Sequence, residues 1–521
     1  MTKVGVWIQL PPKARWRTEG IGRLIGYIIE GTATTKGVKY VLCAPPWMEE
    51  ELQAFISELP LRVRDHVTFK CAPGSRFRWN VYQDSTRKGV RKPDWLRRWI
   101  ANMLRRPSYG QLAIGAFAIV FAAVGRVLNP MRWIRAAYGW LDPINRMRRV
   151  VSHSRLADLI APATLVQAEY NANVIYANSL KGIDVWISPY PGFNSAVGFK
   201  APFVLIFPDY VLADFPENFP ESARRNIEEQ FGQTVAAADR IISFTEDVRS
   251  RHVVGYFGAE REKTAVIPHC LMDISASWQG PQLEPRRVET RAHANGLIRT
   301  YARDMLSSRK DLPHARFWGL LADSTDFSEL QFAFCPQQAR PYKNLPRLIE
   351  MVVELNRVRG VPLHLVVSAF IDLANKSDPF VATVQRLDAW EYLTIAPALP
   401  ADVHAALYHA AALAVHPSYF EGGLSFIFGE AVSMGTPCLL SKNAANLESL
   451  DPVALDYMLF DPSSAMDMAD KVEYALANRD DVLARQREHV AHIARTRGWD
   501  KVALEYLAVL EDAKRAALTR A

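Results

Sequence analysis

A chain of 521 residues with 49% hydrophobic and 22% charged residues is too long for one core and too apolar for a disordered polymer, so two folded domains are expected. Its cysteines, Cys43, Cys71, Cys270, Cys335 and Cys438, are scattered without metal-ligand spacing, the pattern of free thiols in a reducing cytosol. The net charge of +7 is concentrated, because residues 86–150 hold fourteen Lys and Arg against Asp94 and Asp142, a local +12 that leaves −5 for the remainder.

The N-terminal MTKVGVWIQLPPK has no long apolar run and reads as a first strand over 4–9, not as a signal peptide. A polar loop with Gly20 and Gly22 leads into a helix over 23–30. A strand over 39–44, a helix over 49–59 and a strand over 67–71 continue an alternation that predicts a parallel, helix-covered sheet.

The pattern then breaks. Trp95, Leu96, Trp99, Ile100, Met103 and Leu104 share one helical face with arginines opposite, and 111–125 runs fifteen residues without a charge. About twenty apolar residues span a bilayer, so this run suits an interfacial or re-entrant segment, with flanking Arg at lipid phosphates. A helical insertion over 85–160 is expected to meet the inner face of the cell membrane through about 95–141. A buried hairpin or a lid over a cleft is the other reading. No nucleic-acid motif accompanies the charge, and nucleic acid is not an expected partner.

The α/β order resumes with Val174-Ile175-Tyr176, read as extended, and strands over 182–187 and 203–207. A polar region over 275–327, with one helix over 288–307, reads as interdomain connection plus insertion. The second domain opens with a strand over 331–335, followed by Arg340 and Lys343 before an amphipathic helix. Two cations ahead of a helix N-terminus suit the charged oxygens of a diphosphate. Strands over 363–368 and 393–396 and a helix over 401–412 follow. A last amphipathic helix after Gly498-Trp499 carries Val502, Leu504, Tyr506, Leu507 and Leu510. The expected divisions are 1–283, a connection over 284–328, a second domain over 329–495, and a C-terminal helix over 496–521.

Residues 411–441 concentrate the chemistry. An apolar strand ends at His416-Pro417, Glu421-Gly422-Gly423 forms a loop, and Ser425 is a candidate N-cap for a helix over 426–434 closed by Gly435. A strand feeding through glycines into a helix N-terminus builds an anion site. Glu421 stands at the loop mouth and Glu430 inside the helix. Elsewhere no Ser-His-Asp set, phosphate-loop lysine motif or metal cluster is legible. His489 and His492 have a spacing a metal could use, but read as solvated surface residues.

Pro417-Ser418, Glu421-Gly422, Glu430-Ala431 and Gly435-Thr436-Pro437 together resemble the signature of retaining, nucleotide-sugar-dependent glycosyltransferases of family 4, also called glycosyl transferases group 1. The fold this implies is α/β of the GT-B type, two Rossmann-like domains facing a cleft. Arg340-Pro341-Tyr342-Lys343-Asn344 is similar to a mannosyltransferase-like subgroup. Asp209 and Phe215-Pro216-Glu217 match that subgroup's first domain, with Pro208 where it carries a His. Residues 235–243 and 263–269 resemble the last strands of the first domain, and the last helix resembles one that crosses back onto it. One departure stands out: eight residues separate Glu421 from Glu430, where the family has seven. Either the loop bulges or Gly422 has taken the first carboxylate's backbone position.

The resemblance implies a catalytic set of Glu421, Lys343, Arg340 and Asp209. It implies a donor-binding set of Gly422, Gly423, Leu424, Ser425, Glu430 (to the ribose), Gly20, Gly22 and Glu448, the last within Asn446-Leu447-Glu448. No metal or other cofactor is implied, the donor being a GDP or UDP sugar. The acceptor implied is a lipid-linked glycan of a cell-surface polysaccharide. A catalytically degenerate GT-B scaffold and a GT-B sugar-nucleotide epimerase remain the alternatives.

Overall fold

A computed structural model describes residues 2–72, 162–308 and 330–520, apart from residues 13, 18, 279, 282, 284–287, 398 and 452–454. The expected insertion over 85–160 and its membrane-facing part over 95–141 lie outside the described residues. Among the described residues, no helix is long and apolar enough to cross a membrane.

Two parallel sheets organise the chain. The first contains β1 (Lys3–Trp7), β2 (Lys39–Cys43), β3 (Val67–Lys70), β4 (Val185–Ser188), β5 (Phe203–Ile206), β6 (Arg240–Ser243) and β7 (Thr264–Val266), in the order β3-β2-β1-β4-β5-β6-β7. The second contains β8 (Phe332–Cys335), β9 (His364–Val367), β10 (Leu393–Ile395), β11 (Leu413–His416), β12 (Cys438–Ser441) and β13 (Leu459–Phe460), in the order β10-β9-β8-β11-β12-β13. Strands rich in Val, Ile, Leu and Phe suit positions covered by helices on both faces. Gly5 is required in β1: a Cβ there would fall 2.2 Å from the Trp186 ring on β4, its register partner.

Each order reverses direction once, between β1 and β4 and between β8 and β11. At such a reversal the connections leave toward opposite sides of the sheet, and a crevice opens at the carboxyl ends of the strands.

Helix Trp499–Arg520 packs on the first domain. Val502, Tyr506, Leu507, Leu510 and Ala513 join its core, and Trp499 stacks on Tyr27 with ring centroids 4.3 Å apart. Gly31 of helix Gly20–Lys36 admits this approach, since a Cβ there would lie 2.5 Å from Ala503 Cβ.

Two expected elements differ. Residues 174–176, read as extended, lie inside helix Pro162–Ser179. Val174 and Ala177 of that helix are buried in the first domain's core, and Asn173 Oδ1 accepts from the Ala72 amide just beyond β3, so tertiary packing overrides the β-branched run. Helix Val288–Ser308 is not a mere connection. Its Ala294, Ile298 and Ala302 are buried in the second domain's core, where Trp278 meets the His409 ring of helix Ala401–Ala410 at 5.2 Å.

Candidate functional site at the interdomain cleft

The switch point between β8 and β11 presents two loops side by side. After β8, the chain makes a turn over Pro341–Lys343 and enters helix Leu345–Val353 through Asn344, whose φ of 57° is left-handed. Asn tolerates this conformation. Its side chain donates to Pro417 O at 3.1 Å and Pro462 O at 2.7 Å, tying together the loops after β8, β11 and β13. Gln337 Nε2 donates to Lys343 O at 2.9 Å. Lys343 is thereby held at the crevice, with its Nζ on Glu421 Oε1.

Glu421 has a second partner, since His416 Nε2 at the end of β11 lies 3.1 Å from the same oxygen. Burial pushes the carboxyl upward, but Lys343 and His416 outweigh it and hold Glu421 well below the usual carboxylate range. Burial conversely lowers His416 against the pull of Glu421, so a neutral imidazole donates to an ionised carboxylate. Cysteine thiols nearby stay protonated, burial raising both Cys335 and Cys438.

Asp209 enters from the other domain, beyond β5. Burial and Glu421 raise it to about 6, against Lys343, His252 and Arg340. Arg340 is exposed, with its Nε donating to Gln338 Oε1 at 2.8 Å, and its charge acts on Asp209. The four expected catalytic residues therefore converge, three from the second domain and one from the first.

The glycines of the loop have a different immediate neighbour from a ligand. A Cβ on Gly422 would fall 1.8 Å from Pro208 O, and one on Gly423 would fall 2.6 Å from His269 Nε2. Thr245 Oγ1 also donates to Gly422 O at 3.2 Å. The bare backbone lets the two domains meet. Helix Phe426–Ser433 begins five residues after Glu421, which stands in the loop ahead of it. Ser425 occupies the N-cap position with extended backbone but makes no side-chain cap bond, so the first amides of the helix are not capped by it. Leu424 is buried in the second domain's core.

Glu430 is not positioned as an open ribose acceptor. It is 4% exposed, with Oε1 2.7 Å from Arg23 Nη1 of the first domain and Oε2 accepting from Tyr408 OH at 2.9 Å. Burial would protonate it, but Arg23 and His404 keep it below its ordinary value. Glu448 is turned toward the first domain, its two oxygens accepting from the amides of Glu246 at 2.6 Å and Asp247 at 3.2 Å. Gly20 is the first residue of helix Gly20–Lys36, which starts three residues earlier than expected, and faces the Phe426 ring. Gly22 serves packing, since a Cβ there would lie 1.9 Å from Trp16 O. His489 is half-buried against Phe428, His492 is exposed, and among the described residues no group of three His, Cys, Asp or Glu is placed to hold a metal.

Four residues at this cleft escaped the sequence reading: Arg23, Tyr408, His416 and His269. His416 was signalled by its place directly before the Pro-Ser pair, and Arg23 by its place directly after Gly-Ile-Gly. Tyr408 and His269 lie in segments with no local signal.

Two doubly wound parallel-sheet domains, with a crevice built at the carboxyl ends of their strands, define a GT-B fold. Residues 322–497, which span the second domain, match the family model described as glycosyl transferases group 1. A curated relative, D-inositol 3-phosphate glycosyltransferase of Segniliparus rotundus, is 29% identical over 224 residues, which are 43% of this chain and 41% of that protein. The match therefore spans less than half of either. Among solved structures, sucrose-phosphate synthase from Thermosynechococcus elongatus superposes with a TM-score of 0.57 at 12% identity, covering 99% of this chain and all of that one (100%). Anabaena HepE in complex with UDP-glucose gives a TM-score of 0.52 at 12% identity over 98% of this chain and 100% of its own.

Proposed function

We propose that this chain is a retaining, metal-independent glycosyltransferase that moves a hexose from a nucleoside-diphosphate sugar to a lipid-linked glycan on the cytoplasmic face of the cell membrane. The observation that carries the reading is the contact of Lys343 with Glu421 at the switch point of the second sheet, beside a helix whose N-cap residue Ser425 makes no side-chain cap bond. A cation, backbone amides and a helix dipole aimed at one place stabilise the charge that a diphosphate leaving group develops. Arg340 adds a second cation at the rim. In the reaction the bond from the anomeric carbon to the phosphate oxygen breaks, and the acceptor oxygen bonds to that carbon from the same face. The acceptor's proton passes to a phosphate oxygen. In this reading Glu421 holds the sugar's hydroxyls and favours the oxocarbenium-like charge, with Asp209 opposite it from the acceptor domain.

UDP-glucose on HepE supports a nucleotide sugar as donor. The resemblance around Arg340-Pro341-Tyr342-Lys343-Asn344 favours GDP-mannose, with a place in exopolysaccharide or lipopolysaccharide assembly. Membrane attachment rests on the basic, apolar residues 95–141. The test is incubation of the purified protein with UDP-glucose or GDP-mannose and a bacterial lipid extract, following released diphosphate and the anomeric configuration of the product. Acceptor-dependent release with retention supports the reading, and absence of release from both donors sinks it.

A second reading is a binding protein on a transferase fold. It is favoured by the two oxygens of Glu430 being held within the protein and by Pro208 and His269 filling the space over the glycines. Binding of a nucleoside diphosphate without turnover of any sugar donor would favour it.

A further inference from the structure

The first domain brings to the cleft a cation outside the expected site, Arg23. It belongs to the first turn of helix Gly20–Lys36 in the first domain, yet its Nη1 lies 2.7 Å from Glu430 Oε1 in the second. Its guanidinium stands 5.6 Å from the centroid of Phe426, the first residue of helix Phe426–Ser433. One end of Arg23 is therefore anchored on a carboxylate that is 5% exposed, while the side chain as a whole remains 29% exposed. A planar guanidinium with five N–H groups can keep one carboxylate and still present donors to phosphate oxygens.

We propose that Arg23 is a ligand of the donor's diphosphate, brought across the cleft by the first domain and held in place by Glu430. This rests on the nucleotide-sugar reading of the site. It gives the first domain a direct part in donor binding, so that the diphosphate is gripped by both domains and its binding is linked to closure of the cleft.

The test compares two ligands on one protein. Dissociation constants for UDP and GDP are measured by calorimetry, and those for uridine and guanosine by ligand-observed NMR, on the wild type, Arg23→Met, Arg23→Lys and the double variant Arg23→Met/Glu430→Gln. The double variant removes both charges, so folding does not bear a lone buried carboxylate. Any effect through Glu430 on the ribose is common to nucleoside and nucleotide and cancels in the ratio of their affinities. If Arg23 binds the diphosphate, that ratio falls about tenfold or more in Arg23→Met and in the double variant, as loss of a charge-assisted hydrogen bond implies, and is partly kept in Arg23→Lys. If nucleoside and nucleotide weaken by the same factor, or neither weakens, Arg23 is a domain contact only and the proposal is overturned. If the wild type binds neither diphosphate, the donor-site reading itself fails, and the proposal falls with it.

Discussion

Lys343 and Glu421, 78 residues apart in the chain, meet where the loops after β8 and β11 leave adjacent strands. Both are largely buried, at 16% and 18% side-chain exposure, and Asp209 of the other domain is coupled electrostatically to both. Removing Lys343 would leave two carboxylates facing each other in low dielectric. Lys343→Ala is expected to abolish sugar transfer and to destabilise the second domain by about 3–5 kcal/mol, the scale for breaking a buried pair. Thermal or urea unfolding checks the second effect. A variant as stable as the wild type would show that solvent, not Lys343, neutralises Glu421.

The two carboxylates titrate in opposite senses. Glu421 is held below its unfolded value, so its contribution to stability is present above about pH 4.5 and is lost as pH falls further. Asp209 is raised from 3.8 to about 6, so the folded protein keeps a proton that the unfolded chain has released, and this contribution is lost as pH rises through 6. Asp209→Asn is therefore expected to gain up to about 2–3 kcal/mol at pH 7.5 and little at pH 4, taking about 1.4 kcal/mol per pKa unit. Equal gains at both pH values would contradict the assignment.

Gly422 tests the closeness of the domains. A methyl group there would overlap Pro208 O, so Gly422→Ala is expected to hold the cleft open while leaving both cores intact. Solution scattering should show a larger radius of gyration with a thermal midpoint close to that of the wild type, and transfer should fall. Unchanged scattering would place the domains further apart in solution than in this structure.

Gly31 tests the crossing helix. Gly31→Val would push Ala503 away and separate Trp499 from Tyr27, detaching Trp499–Arg520 from the first domain's core. Limited proteolysis near residue 498 should become faster by at least several-fold. Proteolysis at the wild-type rate would mean that the helix is held by its ion pairs, Arg240 with Asp512 and Lys514 with Asp184, and not by this seam.

The doubly wound fold was legible because strand-loop-helix alternation is local and strongly patterned, and the loop over Glu421–Ser425 because Pro, Gly and Ser punctuate it within a few residues. The approach of Lys343 to Glu421 follows from strand order, which parallel crossover units constrain. Residues 174–176 were misread because a β-branched run on a helix cannot be told from a strand without knowing which face is buried. The partners of Glu430 and Glu448 were invisible for a related reason. Tyr408 apart, their partners, Arg23 and the amides of Glu246 and Asp247, lie in the other domain, and no periodicity reports contacts made when two domains close. The glycines were assigned to ligand approach, although the same bare backbone equally serves contact with Pro208 and His269.

The central claim is that the crevice between Lys343, Glu421 and the N-terminus of helix Phe426–Ser433 receives the diphosphate of a sugar nucleotide. Its most direct test is a calorimetric titration of the full chain with UDP, GDP and ADP beside a Lys343→Ala control. Saturable binding of one diphosphate, lost in the control, is the expected result. Absence of binding to all three, or binding that Lys343→Ala leaves unchanged, would contradict it.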